Sequence, residues 1–113
     1  DTEFYRKNVG SMRLITQQSI EAFINREPFK KANMEVWVGY ECSPMLVTKL
    51  LLHGNCIAQM DKYGSVMITD AGWQTNTTKE RLNGLPNVNI HQKDWQWYLN
   101  GEKWNGEWTN IKA

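Results

Sequence analysis

His53, Cys56, His91 and Cys42 are the residues that could hold a metal or attack a substrate, so they bound the chemistry first. His53 and Cys56 flank Gly54-Asn55, a dipeptide suited to a two-residue hairpin turn, and cross-strand pairing would set both on one face. Zinc would need two further ligands from His91, Cys42 and scattered acids, and no Cys-x-x-Cys or His-x-His spacing supplies them. No metal site is expected, and His53 reads better as a packed or turn-stabilising histidine. A cysteine nucleophile served by either histidine lacks an activating motif and an oxyanion-hole glycine pattern. Asp70 with Glu80, or Asp94 with Glu102, could be drawn as acid–base pairs, yet each has a local task at a strand end, cap or turn. The sequence holds no glycine-rich phosphate loop. By the chemistry of its residues the chain is expected to be no enzyme and to carry no cofactor.

Recognition is a better match to the residue types. Taking Lys93-Asp94 and Asn100-Gly101 as hairpin turns, strands over 88–92, 95–99 and 102–104 form a meander. In that register Val88, Ile90, Trp95, Trp97, Leu99 and Trp104 point to one face, and Asn89, His91, Gln96, Tyr98 and Lys103 to the other. The second set mixes donors, acceptors and an aromatic surface on a rigid sheet, which suits selective contact. The bland reading of the same face is the solvated side of an antiparallel sheet. Lys79 and Arg81 on the short helix add positive charge for nucleic acid if that helix lies beside this face. Trp37 and Trp108 stand open as core, stacking platform or interface anchor.

The elements that must position these residues are legible in outline. Thr16 is a good N-cap, with Ile15 able to staple on Ile20, and Ile20, Phe23 and Ile24 share one face. Pro28 should stop that helix near Asn25 or Arg26. Arg26, Lys30 and Lys31 cluster at its exit, as a solvated helix end or as a contact for phosphate or an acidic partner. Residues 35–40 alternate as a strand, and Leu46 to Leu52 is apolar enough to be covered on both faces. Cys56 to Met60 returns antiparallel, Asp61 to Gly64 turns, and Ser65 to Thr69 makes the next strand. Thr77 with Glu80 offers a capping box for a two-turn helix, and Gly84 a left-handed end. Leu82 and Leu85 should pin that helix down. The fold class is α+β: antiparallel meander hairpins with one N-terminal amphipathic helix and one short helix packed on the sheet.

At 113 residues this is one domain, with 1–10 as a possible flexible arm and 109–113 as a frayed tail. Seven basic residues face six acidic ones up to Leu50, and six face six after it, a net charge of +1. Neither half generates a field for tight non-specific nucleic-acid binding. Six tryptophans are the strong deviation, and an indole suits an interface as well as a core. Cys42 and Cys56 could form one disulfide, but reduced thiols in a cytosolic setting fit better. No apolar run reaches membrane-spanning length, so no membrane partner is expected.

Leu52-His53-Gly54-Asn55 with Ile57-Ala58, then Ala71-Gly72-Trp73, then the run from Thr77 to Pro86, and finally Trp97-Tyr98-Leu99-Asn100-Gly101 with Trp104 form one combination. It resembles a small domain family common in tailed double-stranded-DNA bacteriophages and prophages. The likeness covers about the last sixty residues closely. It implies an origin and brings no catalytic residues. Small accessory phage proteins often bind host proteins or nucleic acids. The expectation is therefore an accessory binding module acting on a host or defence protein. The alternative is a nucleic-acid-binding module using the polar sheet face with Lys79, Arg81 and Lys103.

Overall fold

Ile20 and Phe23, three residues apart, are the helix positions that the core takes up, both fully buried. The structure, a computed structural model, describes residues 13–41 and 44–112. The expected arm at 1–10 and the thiol of Cys42 lie outside the described residues. Helix α1 spans Leu14–Ile24, capped by Arg13 in an extended conformation with no side-chain cap. Thr16 is therefore not the N-cap but a buried residue inside the first turn. Its C-terminus closes as expected before Pro28. Asn25 is the C-cap, Arg26 takes φ 56°, and the Glu27 and Arg26 N–H groups bond back to Ala22 and Phe23.

The strands are β1 Phe29–Lys31, β2 Met34–Tyr40, β3 Leu46–Leu52, β4 Asn55–Met60 and β5 Val66–Ile68. After helix α2 (Asn76–Leu82) come β6 Ile90–Lys93, β7 Gln96–Leu99, β8 Glu102–Lys103 and β9 Thr109–Ile111. They pair antiparallel throughout, as a six-stranded sheet in the order β1-β2-β3-β4-β5-β9 and a three-stranded sheet β6-β7-β8. The fold class is α+β. Thr109–Ile111, expected to fray, pairs with β5 instead, because the edge of β5 would otherwise be left unpaired.

One row of the large sheet, Val36–Leu50–Ala58–Ile68, runs across four strands and is sealed from water. It joins Ile20, Phe23, Leu82, Leu85, Val88, Ile90, Trp97 and Trp104 in a core shared by both sheets. β3 is covered fully on one face only. Thr48, Leu50 and Leu52 are buried, while Val47, Lys49 and Leu51 are half-covered.

Two hairpin turns and both ends of the second helix depart from the sequence expectation. Between β3 and β4 the turn is His53-Gly54, not Gly54-Asn55, with φ of 51° and 80° and Leu52 opposite Asn55. A bulge sets Leu51 against Cys56 and turns Ile57 into the core, and glycine comes second, as this turn prefers. α2 is capped by Thr75, whose hydroxyl accepts the Thr78 N–H, rather than by Thr77. Glu80 does not close a capping box, because its carboxylate is drawn to Thr16 and Arg81. Gly84 has no left-handed conformation, and Asn83 is a right-handed C-cap. A Cβ on Gly84 would fall 2.8 Å from Thr16 Cγ2 and 3.0 Å from Ile20 Cγ1, so the glycine lets α2 approach α1.

Arg81 is the most buried cation among the described residues, 3% exposed. Its guanidinium donates to Thr16 Oγ1 (2.9 Å) and Asn33 Oδ1 (3.3 Å) and pairs with Glu80. One side chain thus ties α1, α2 and the β1–β2 turn together.

Candidate binding face and cleft

The second hairpin turn shifted is the first of the small sheet. It is Asp94-Trp95 rather than Lys93-Asp94, with φ of 51° and 69°, and Lys93 pairs with Gln96. The shift carries Trp95 out of the strand. Expected in the core, its indole is 90% exposed at the hairpin tip, with no hydrogen bond or ring contact among the described residues. Val88, Ile90, Trp97, Leu99 and Trp104 are buried as their alternation required.

The new register brings His91, Tyr98 and Lys103 into one row across the three strands. The His91 and Tyr98 rings stack at 5.0 Å with an interplanar angle of 9°. Gln96 lies two residues along, but its amide donates to the carbonyls of Trp97 (2.8 Å) and Trp104 (3.3 Å). Asn89 sits beyond the end of β6, where its backbone pairs with the N–H and carboxamide of Asn100. The helix cations do not join this row. Lys79 lies on the Trp97 side, its ammonium 5.9 Å from that ring centroid and 3.4 Å from Gln92 Oε1. Arg81 is buried in its knot. Lys79, Arg81 and Lys103 therefore share no face.

Of the other exposed rings, Trp37 lies 5.4 Å from the Lys49 ammonium and Trp108 is half in solvent. At the helix exit, Arg26 reaches Thr48 Oγ1 (3.4 Å) and Lys31 reaches Gln18 Oε1 (3.2 Å), so two of the three basic residues have neighbours within the chain. Cys56 is a free thiol that donates to the Ala58 carbonyl at 3.3 Å. Burial pushes that thiol above its ordinary value, with Lys49 acting in the opposite sense, which leaves little thiolate at neutral pH.

A cleft of about 390 Å³ opens between the β3–β4 turn and the segment that leads into α2. Leu52, Ile57 and Ala71 supply apolar lining, and His53, Asn55, Asp70, Trp73 and three threonines, Thr75, Thr77 and Thr78, the rest. Asp70 is 7% exposed, its Oδ1 accepting the Gly72 N–H at 2.7 Å. Neither this cleft nor the tip indole emerged from the sequence. The cues were present as Asp70-Ala71-Gly72, an aspartate two residues before a glycine, and as a tryptophan following an aspartate between two strands. Among the described residues no helix is long and apolar enough to cross a membrane, and no three His, Cys, Asp or Glu gather as a metal site would need.

The family model described as Kyanoviridae Gp96 protein matches residues 12–112. Comparison with curated proteins and with solved structures finds no match.

Proposed function

The chain belongs to the Kyanoviridae Gp96 protein family, a phage family, and from that premise we propose an accessory protein that holds a protein partner by its β6–β7 hairpin tip. The partner is a host or defence protein met in the host cytoplasm, and the protein works by binding rather than catalysis. The observation that carries this reading is Trp95. A left-handed backbone position costs most L-residues, asparagine and aspartate excepted, about 1–2 kcal/mol. Folding alone favours glycine or asparagine at φ 69°, and it favours no large apolar ring in water. An indole held out at such a position is what an interface anchor requires. The His91–Tyr98 stack and Lys103, further along the same sheet, add polar groups for contact.

The test is retention of a host-lysate protein by the wild type and by Trp95→Gly. The reading expects a stoichiometric partner whose affinity falls by about thirtyfold or more in the variant, the loss a central anchor produces. A partner held equally by both, or none held by the wild type, ends it.

One observation favours nucleic acid as a second reading: stacked rings beside Lys103 form a platform on which a base could rest. With Lys79 and Arg81 facing elsewhere, that platform has little charge to hold a phosphate backbone. Gel shifts at low salt on single-stranded probes decide it, and binding there must weaken steeply as salt rises.

A further inference from the structure

We propose that the cleft between the β3–β4 turn and α2 is a binding site for an organic cation, an alkylammonium or guanidinium head on a short apolar stem. This stands apart from the hairpin tip and does not depend on it.

Asp70 carries the argument. The residue is only 7% exposed yet forms no ion pair with any described residue; the ion pairs among the described residues are Lys49–Glu41 and Arg81–Glu80. A buried charge is ordinarily paired, because the medium around it solvates it poorly. The chain seats this group with care. Thr69 Oγ1 (2.6 Å) and the Asp70 N–H (2.9 Å) both donate to the Gly106 carbonyl. A Cβ on Gly106 would lie 1.8 Å from Asp70 Oδ2, so only glycine leaves the carboxylate its place. Oδ1 takes one backbone N–H, which orients the group without neutralising it.

Apart from the His53 imidazole, which shares the lining, the remaining wall suits a cation. Trp73 stands 61% exposed at the rim while its backbone is held by its N–H to the Asp70 carbonyl. Indole is the ring that best attracts a cation, and the cations lying over rings among the described residues serve Trp37, Tyr63 and Trp97 instead. Leu52 and Ile57 offer an apolar surface for methylenes. Asn55 and Thr77 at the rim have side chains in no hydrogen bond among the described residues. A lone carboxylate gives a metal ion too few ligands, and it repels anions. The volume takes a molecule of metabolite size or one long side chain.

Agmatine, with a guanidinium and an ammonium on a four-carbon stem, is the probe, read by amide and indole NMR shifts on the full chain. Saturable shifts at Ala71, Gly72 and the Trp73 indole are expected below about 10 mM, the range ligand efficiency sets for so small a molecule. Asp70→Asn keeps an acceptor for the Gly72 N–H but removes the charge, and should weaken binding by about tenfold or more. Neutral 1-pentanol should give no saturable shift at those positions. Acetylated Gly-Arg-Gly and Gly-Lys-Gly amides locate the source: tighter binding than agmatine means a partner's side chain, weaker means a free amine. No shift with any cation, equal binding by folded Asp70→Asn, or equal binding of pentanol overturns the proposal.

Discussion

The two turns of the small sheet share a left-handed backbone and differ in what their residues do for it. At Asn100-Gly101 the φ angles are 52° and 90°, and the residues are those the geometry asks for. Asn100 also stitches the hairpin down, accepting the Asn89 N–H (2.9 Å) and donating to the Asn87 carbonyl (3.0 Å). At Asp94-Trp95 the backbone is the same and the second residue is wrong for folding. The contrast separates side chains that the fold needs from side chains that it tolerates. The same separation holds for buried charge. Arg81 is met by Thr16, Asn33 and Glu80. Asp70 is met by backbone N–H alone and faces a cleft.

The contrast is sharpest where removal should hurt most. Arg81→Ala leaves Glu80 the Thr16 hydroxyl but no counter-charge and should cost about 3 kcal/mol, read by chemical denaturation; a loss below about 1 kcal/mol would mean the knot is ornamental. Gly84→Ala pushes a methyl into Thr16 and Ile20 and should cost about 1–3 kcal/mol, with the Thr16–Arg81 contact disturbed in the same variant. Asn100→Ala removes two local hydrogen bonds and should cost about 1–2 kcal/mol, the structural turn's share. Cys56 should alkylate severalfold more slowly than a free cysteine at pH 8, because its raised pKa lowers the thiolate fraction there and the site is half-covered. The linkage has a matching sign. Stability from the buried neutral thiol is present below the pKa of the unfolded cysteine and is lost as pH rises through the higher folded value.

Much of this was legible from residue pattern. The Leu46–Leu52 strand, the helix stop before Pro28, the Asn100-Gly101 turn and the inward side of Trp97 and Leu99 follow from local rules that tertiary contacts did not override. What escaped was set by distant partners. Thr16, Thr77 and Glu80 all look like cap residues, but Arg81 recruits its neighbour Glu80 and, across 65 positions of chain, Thr16. Gly84 looks like a helix stop, and only the approach of α1 shows its real task. Alternation from Trp97 sends Trp95 inward, whereas a turn displaced by one residue ends the strand first. The polar row survived that displacement with His91, Tyr98 and Lys103 together. Lys79 and Arg81 separated from it because helix faces, unlike strand parity, depend on what the helix packs against.

Trp95→Gly tests the account where the two turns differ, with stability and partner affinity measured on the same sample. The expected result is an unchanged fold, its stability equal or higher by up to about 1 kcal/mol since glycine prefers that backbone. Partner retention should then be lost. A clear loss of stability would show that the indole serves the fold, and undiminished binding would show that the hairpin tip holds no partner.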